Sequence, residues 1–400
     1  LTVEQQVSPF LSITVRKDNK ELYHIQTPSH SPTDSFARIV ALHFGAQYLQ
    51  QAQIYSFTMH YMVTFPYTDA TLPPGDIIYG FDNGFAVNTY YRVDLVIAVG
   101  KSTYTSFTPT ATFLPASAGY RFEAGAVTVS ENYNSTHAWV TLATSMSLTS
   151  DLTVSDVAIY LHVPNTRSIC TSVRDESGYC PNYTPVDVPN NYALIWWDKV
   201  TEFTAPSGST IDVAYTFYTA FPAGGNFLSL LFGFMHTPRA SEGYVLRDVA
   251  GASYTNYFPD FNAYQTTVSV YYAWPAVRFL WGTGSATSTG PFSPYALVNK
   301  IGESNAFITV GYDPATSGVV FTVSGVASNP SSSPITITEV GFQMGGVSGV
   351  GRLCLRNQGN TASLCPALDK AVLFAYLPTS ITLQPGQAVQ IVYKIRFVSI

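Results

Sequence analysis

Alternation of apolar and polar residues is the dominant signal along this chain. Ile211, Val213, Tyr215 and Phe217 alternate with polar or small neighbours, and so do Val389, Ile391, Tyr393 and Ile395. A period of two in β-branched and aromatic residues predicts strands with one buried face. Each row follows an apolar run and a turn, Pro206-Ser207-Gly208 in one case and Pro385-Gly386 in the other. Pro sets φ and Gly accepts positive φ, so each turn separates two strands. The two segments, Ala193 to Phe221 and Ala371 to Ser399, align without a gap over 29 residues at an offset of 178 (371 − 193).

Other segments read as strands by the same rule: Tyr90 to Gly100, Tyr120 to Ser130, Leu152 to Leu161, Thr266 to Gly282, Gly318 to Val326 and Ile335 to Met344. Many short strands between Gly, Pro, Ser and Asn turns predict an all-β chain of two tandem β-sandwich modules, Ig-like or jelly-roll. The expected organisation is an N-terminal extension over 1–30, a first module over 31–221 and a second over 222–400. A fainter echo of the repeat, Ala37 to Phe65, aligns with Ala193 to Phe221 at an offset of 156 (193 − 37). It fits a strand pair. It also fits a short helix carrying Phe36, Ile39, Val40 and His43 on one face, with Asp34 or Ser35 as N-cap. As a strand pair, the echo either opens the first sandwich or is the end of a module whose beginning lies elsewhere.

In the extension, Leu11, Ile13 and Val15 alternate with Ser12, Thr14 and Arg16. This strand either opens the first sandwich or acts as a donor strand that completes a neighbouring subunit by β-augmentation.

Composition agrees with strands and turns. Aromatic residues are 14% and charged residues 11% of 400, so the Lys, Glu and Arg that usually clothe helices are scarce. A net charge of −6, with 19 Lys and Arg spread thinly, predicts no nucleic-acid footprint. The longest apolar run, Asn226 to Met235, is too short to span a bilayer, so no membrane span is expected. The absence of an initiator Met at Leu1 fits a processed precursor whose signal peptide is gone from view.

The four cysteines form two local pairs, Cys170 with Cys180 and Cys354 with Cys365, each between a predicted strand and the repeated segment. We expect two disulfides within the modules, each worth roughly 2–3 kcal/mol by loop closure. They imply an oxidising compartment or a hyperthermophilic source. Sequons at Asn134 and Asn182 are candidate glycosylation sites.

Little in the chain carries chemistry. The seven histidines are scattered, no metal-ligand spacing occurs, and the Gly-rich stretches lack P-loop and dinucleotide order. No catalytic residue, metal or cofactor is expected. The acid repeated at Asp156 and Glu339 reads as a strand-end hydrogen-bond acceptor or the partner of an Arg. Trp196-Trp197 is the candidate sugar platform, since neighbours on a strand face opposite sides.

The segments "ITITEVGF", "AVLFAYLP" and "ITLQPGQAVQIVYKIRFVS" resemble the closing part of β-sandwich structural proteins of archaeal viruses, phage tails and archaeal extracellular filaments. The resemblance covers Ile335 to Ile400 well and Leu152 to Phe221 more loosely. It implies a non-enzymatic structural subunit that self-associates into a homopolymer or virion shell at the cell surface or on a virion. A carbohydrate-binding adhesin, with glycans as partners, is the further expectation.

Overall fold

The computed structural model describes residues 1–29, 31–37, 40, 44, 94–111, 113–163, 167–170, 183–186, 191–236, 244–260, 277–316, 318–345, 353–357 and 369–397. The first strands are β1 (Thr2–Lys17), β2 (Lys20–Pro28), β3 (Asp94–Gly100), β4 (Phe122–Ala126), β5 (Thr128–Tyr133), β6 (Ala138–Ser147), β7 (Leu152–Val163), β8 (Arg167–Cys170), β9 (Tyr183–Val186), β10 (Asn191–Ala205) and β11 (Thr210–Thr219). Helix α1 (Gly224–Met235) follows. The remaining strands are β12 (Tyr244–Arg247), β13 (Ser253–Asp260), β14 (Val277–Gly282), β15 (Lys300–Asn305), β16 (Phe307–Asp313), β17 (Gly318–Ser328), β18 (Ile335–Met344), β19 (Leu353–Asn357), β20 (Asp369–Lys370), β21 (Val372–Leu383) and β22 (Ala388–Phe397).

The chain is mostly β, as its alternation requires. Both repeated segments form the expected strand, turn and strand: β10 and β11 flank Gly208, and β21 and β22 flank Gly386, each glycine at positive φ. Tyr120 to Ser130 holds two strands where one is expected. Val127 turns a one-residue corner between β4 and β5, its N–H donating to the Leu95 carbonyl at 3.0 Å. Ala306 turns the same corner between β15 and β16, bonded to Val277 at 3.0 Å.

The repeat extends well beyond the two segments. A four-stranded sheet runs β10-β7-β3-β4 and another runs β21-β18-β14-β15; an eight-stranded sheet runs β16-β17-β22-β1-β11-β6-β5, with β2 also on β1. Replacing β3 to β7, β10 and β11 by β14 to β18, β21 and β22 reproduces every pairing. Each four-stranded sheet faces its part of the long sheet. Trp196 meets Phe217 at 5.1 Å in the first half, and Phe342 meets Tyr393 at 5.8 Å in the second. Among the described residues there are also a third small sheet, β12-β13-β19-β20, and the antiparallel pair β8-β9.

Two features cross the expected boundary at Phe221. The eight-stranded sheet passes through both halves, and one apolar cluster includes residues of both. Helix α1 fills the seam. Phe227 packs on Phe321 at 5.4 Å, Phe232 on Phe217 at 4.7 Å, and the buried Asn226 amide donates to the carbonyls of Arg247 (3.1 Å) and Leu373 (2.7 Å). This is the longest apolar run of the chain; a helix apolar on all sides belongs inside a protein. Among the described residues, no helix is long and apolar enough to cross a membrane.

Most of the N-terminal echo lies outside the described residues. Its described residues, Ala37, Val40 and Phe44, are helical, as are Asp34 to Phe36 just before them. Phe36, Val40 and Phe44 are buried in the main core. The cap is Thr33, not Asp34 or Ser35: the Phe36 N–H donates to Thr33 Oγ1 at 3.3 Å.

Candidate functional site

The N-terminal strand lies outside the repeat, and it joins the halves. Val7 to Arg16 pair antiparallel with β11, while Thr2 to Val7 pair parallel with β22. The ends of β11 and β22 therefore meet at Val7 from opposite directions. Glu4, opposite Lys394, binds Arg396 at 3.1 Å and Lys394 at 3.5 Å. These exposed pairs set the register more than they stabilise.

Beyond Val7 both edges of β1 are occupied, by β11 on one side and β2 on the other. The turn between β1 and β2 is Asp18-Asn19, with φ of 49° and 60°. Positive φ at both residues is the type I′ geometry of a two-residue hairpin. Leu11, Ile13 and Val15, the candidate donor residues, are fully buried in the chain's own core. Each such burial contributes about 1.5–3 kcal/mol. On the outer face above Ser8, a groove of about 550 Å³ opens between Gln6, Phe10, Gln26, His137 and Tyr218.

The repeated acid is a built site. Asp156 is fully buried, and its Oδ2 accepts from Ser102 N (2.7 Å) and Ser155 Oγ (2.8 Å). Its Oδ1 accepts from Trp197 Nε1 and pairs with Lys199 Nζ, both at 2.9 Å. Glu339, equally buried, accepts from Gly284 N (3.2 Å), Asn299 N (2.8 Å), Val298 N (3.1 Å) and Tyr376 OH (3.4 Å). The acceptor role expected for this acid is observed, but both acids lie inside their strands and not at strand ends, and Lys199 is the cation where an Arg was the expected alternative.

Each carboxylate clamps a covering segment, 101–121 or 283–299, onto the outer face of its four-stranded sheet. Small apolar clusters lie beneath: Ala158, Leu194 and Trp197 in one half, Leu280, Leu373 and Tyr376 in the other. A tyrosine hydroxyl adds a second tie in each, accepting Leu114 N at Tyr160 and Ala286 N at Tyr376, both at 3.1 Å. Gly100 and Gly282 lie opposite the two acids. A Cβ would meet the Arg121 carbonyl at 2.5 Å in one and the Asn299 carbonyl at 2.4 Å in the other.

Trp196 and Trp197 point to opposite sides, as neighbours on a strand do, yet neither reaches solvent. Trp196 is 1% exposed in the main core, and Trp197 is fully buried under segment 101–121. They form no sugar platform. The gapless alignment is also one residue out here. Ile195 and Phe374 are bulged out of their ladders, which matches Trp197 to Tyr376 at an offset of 179 (376 − 197), and from Phe203 onward the offset is 178 (381 − 203). The extra residue sits between Lys199 and Phe203.

A third carboxylate went unnoticed in the sequence. Glu131 on β5 accepts from Ser229 Oγ on α1 (2.7 Å) and Val245 N on β12 (2.5 Å), tying the end of the long sheet to the seam. Loss of water around the group pushes its pKa up to about 8. Nothing at Glu131 signals this locally, because its partners lie 98 and 114 residues away.

Asn134 stands on the exposed tip of the β5–β6 hairpin, its Oδ1 accepting from Thr136 Oγ1 at 3.0 Å and His137 N at 2.8 Å. Asn182, Cys180 and Cys365 lie outside the described residues. Cys170 ends β8, which pairs with β9, whereas Cys354 lies on β19 between β13 and β20. The two cysteine segments thus differ in their strand pairing. Among the described residues, no group of three or more His, Cys, Asp or Glu side chains is placed to hold a metal ion. No protein-family model, curated protein or solved structure matches the chain.

Proposed function

We propose that this chain is a non-enzymatic structural subunit of an extracellular assembly, built of two β-sandwich units in tandem and joined by exchange of its N-terminal segment. One observation carries this reading. The element next to both terminal strands, β11 and β22, is a single N-terminal strand outside the repeat, and its apolar face fills the core. A strand that completes a sheet from outside a repeated unit can come from its own chain or from a second copy.

The hairpin geometry defines what is exchanged. Because the Asp18-Asn19 turn ties β1 tightly to β2, the moving unit is residues 1–28 and not β1 alone. Within a single chain the groove is filled by its own hairpin. In an assembly the same groove takes the neighbour's hairpin, with the same pairings. The buried clamps on Asp156 and Glu339 favour a durable scaffold, since they hold covering segments down with fully bonded buried groups.

Electron microscopy of the native protein tests the reading, with ordered polymers or shells as the expected result. A chain lacking residues 1–28 should bind a synthetic peptide of that sequence and lose the ability to polymerise. A protein that stays monomeric at millimolar concentration, in every form of the chain, rules out the assembly.

A further inference from the structure

Among the described residues the long sheet has three edge strands, and the chain treats them differently. At β2 the outer edge carries Lys20, Glu21 and His24 and closes on Pro28. Charge and proline on an edge discourage further strands. At β5 the edge is tied down, by Glu131 to α1 and β12 and by Tyr133 against Phe292 at 5.2 Å.

The third end, β16, carries no such charge or proline. Its sequence Phe307-Ile308-Thr309-Val310-Gly311-Tyr312-Asp313 holds no Lys and no Pro, and its one charged residue, Asp313, is bound by Arg396 at 2.9 Å. Among the described residues, no strand pairs with its outer edge. Thr309 and Gly311 are exposed, and Phe307 is 50% exposed. Val326, 43% exposed, lies on the same outer face, two residues beyond Ser324, which is opposite Phe307.

Gly311 adds a second observation. A Cβ there would touch nothing within 4 Å among the described residues, and its φ is not positive, so neither crowding by those residues nor backbone conformation calls for glycine. A glycine inside a strand weakens it, and one use that offsets this is close approach by another backbone.

We propose that β16 pairs edge to edge with β16 of a second copy, so that the long sheet continues through a twofold dimer. This rests on the assembly reading above and adds a contact to it. The second copy is favoured over a foreign strand because an uncharged edge is complementary to itself, and a twofold contact needs only one surface. Pairing with the charged β2 edge of a copy would set Lys20 and Glu21 against apolar residues.

The test is sedimentation velocity on the full chain over a range of concentrations, comparing Gly311→Lys with Asn132→Lys. Asn132 is the exposed equivalent of Gly311 on the covered strand β5, at the offset of the corner residues (311 − 132 = 306 − 127 = 179). Gly311→Lys sets like charges close together across the twofold axis and should weaken dimerisation at least about tenfold. Asn132→Lys should behave as wild type, and circular dichroism should report the same fold in both. Dimerisation unaltered by Gly311→Lys overturns the β16 contact while leaving assembly through the hairpin in place. Equal loss in both variants also overturns it, because it makes the effect one of added charge alone. A wild-type chain that never associates overturns both.

Discussion

Tyr215 and Tyr393 occupy the same place in the two halves, on β11 and β22 at an offset of 178 (393 − 215), and both are fully buried. The Tyr215 hydroxyl donates to the Val157 carbonyl at 3.0 Å, with the Asp198 carboxylate beside it. The Tyr393 hydroxyl has no partner among the described residues. Where the first half has Asp198, the ladders place Leu377 in the second. One scaffold therefore tolerates a satisfied and an unsatisfied version of the same buried group. The difference shows that the apolar alternation, present in both, specifies the sheet, while polar partners refine it.

The two clamps differ in a related way. Asp156 carries an ion pair with Lys199, whereas the donors bonded to Glu339 are neutral. Removing Asp156 leaves a cation beside a desolvated site, so Asp156→Ala is expected to cost about 3–5 kcal/mol in urea unfolding. Glu339→Gln keeps one acceptor oxygen and strands no cation, and the expected loss is nearer 1–2 kcal/mol. Equal losses would show that the ion pair adds nothing beyond hydrogen bonding.

The strand shared by the halves comes next. Leu11→Ala should destabilise by about 2–5 kcal/mol through its cavity, and a single unfolding transition by calorimetry would show that the halves melt together. Two separated transitions, with only the first lowered, would mean the continuous sheet does not couple them.

Glu131 supplies a pH test of the seam. Its folded pKa, about 8, lies above the unfolded value near 4.5, so the folded form holds a proton that the unfolded form releases. The stability it contributes is fully present below about pH 4.5 and is lost as pH rises through 8. Partial exposure of the residue limits the effect to the order of 2 kcal/mol. Thermal melts between pH 4 and pH 9 should show this decline in the wild type and a flatter profile in Glu131→Gln. A slope unaltered by that substitution would assign the pH dependence elsewhere.

The smallest effect sharpens the opening contrast. Tyr215→Phe should cost about 1 kcal/mol, and Tyr393→Phe should be neutral or stabilising, because it removes a buried hydroxyl that has no partner among the described residues. Denaturant midpoints of the two variants measure the difference directly. A loss in both would reveal a partner for Tyr393.

Alternation alone was enough to place β11, β18 and β22 within a residue or two, and the Pro/Gly turns gave the connections into β11 and β22. Those signals are local: a period of two and a positive φ are properties of a few consecutive residues. The repeated acid was also legible, and its acceptor role followed from a carboxylate recurring on a strand. What the residues did not disclose are facts about partners far apart in the chain. Whether Trp197 faced solvent depended on a segment some 80 residues earlier folding over it. The extra residue between Lys199 and Phe203 displaced the alignment by one, because an extra residue in a strand is absorbed in the ladder and leaves the composition unmarked.

The sequence by itself determined that this protein is β throughout most of its length and built on a repeat, since burying alternate side chains leaves few other solutions. Only the tertiary structure decided that the repeat is one continuous body. That outcome rests on β1 finding β11 on one edge and β22 on the other, on α1 filling the seam, and on Glu131 reaching across it. Each is a contact between residues separated by scores to hundreds of positions. Such contacts are chosen by shape and hydrogen bonding in three dimensions, which no short stretch of chain encodes.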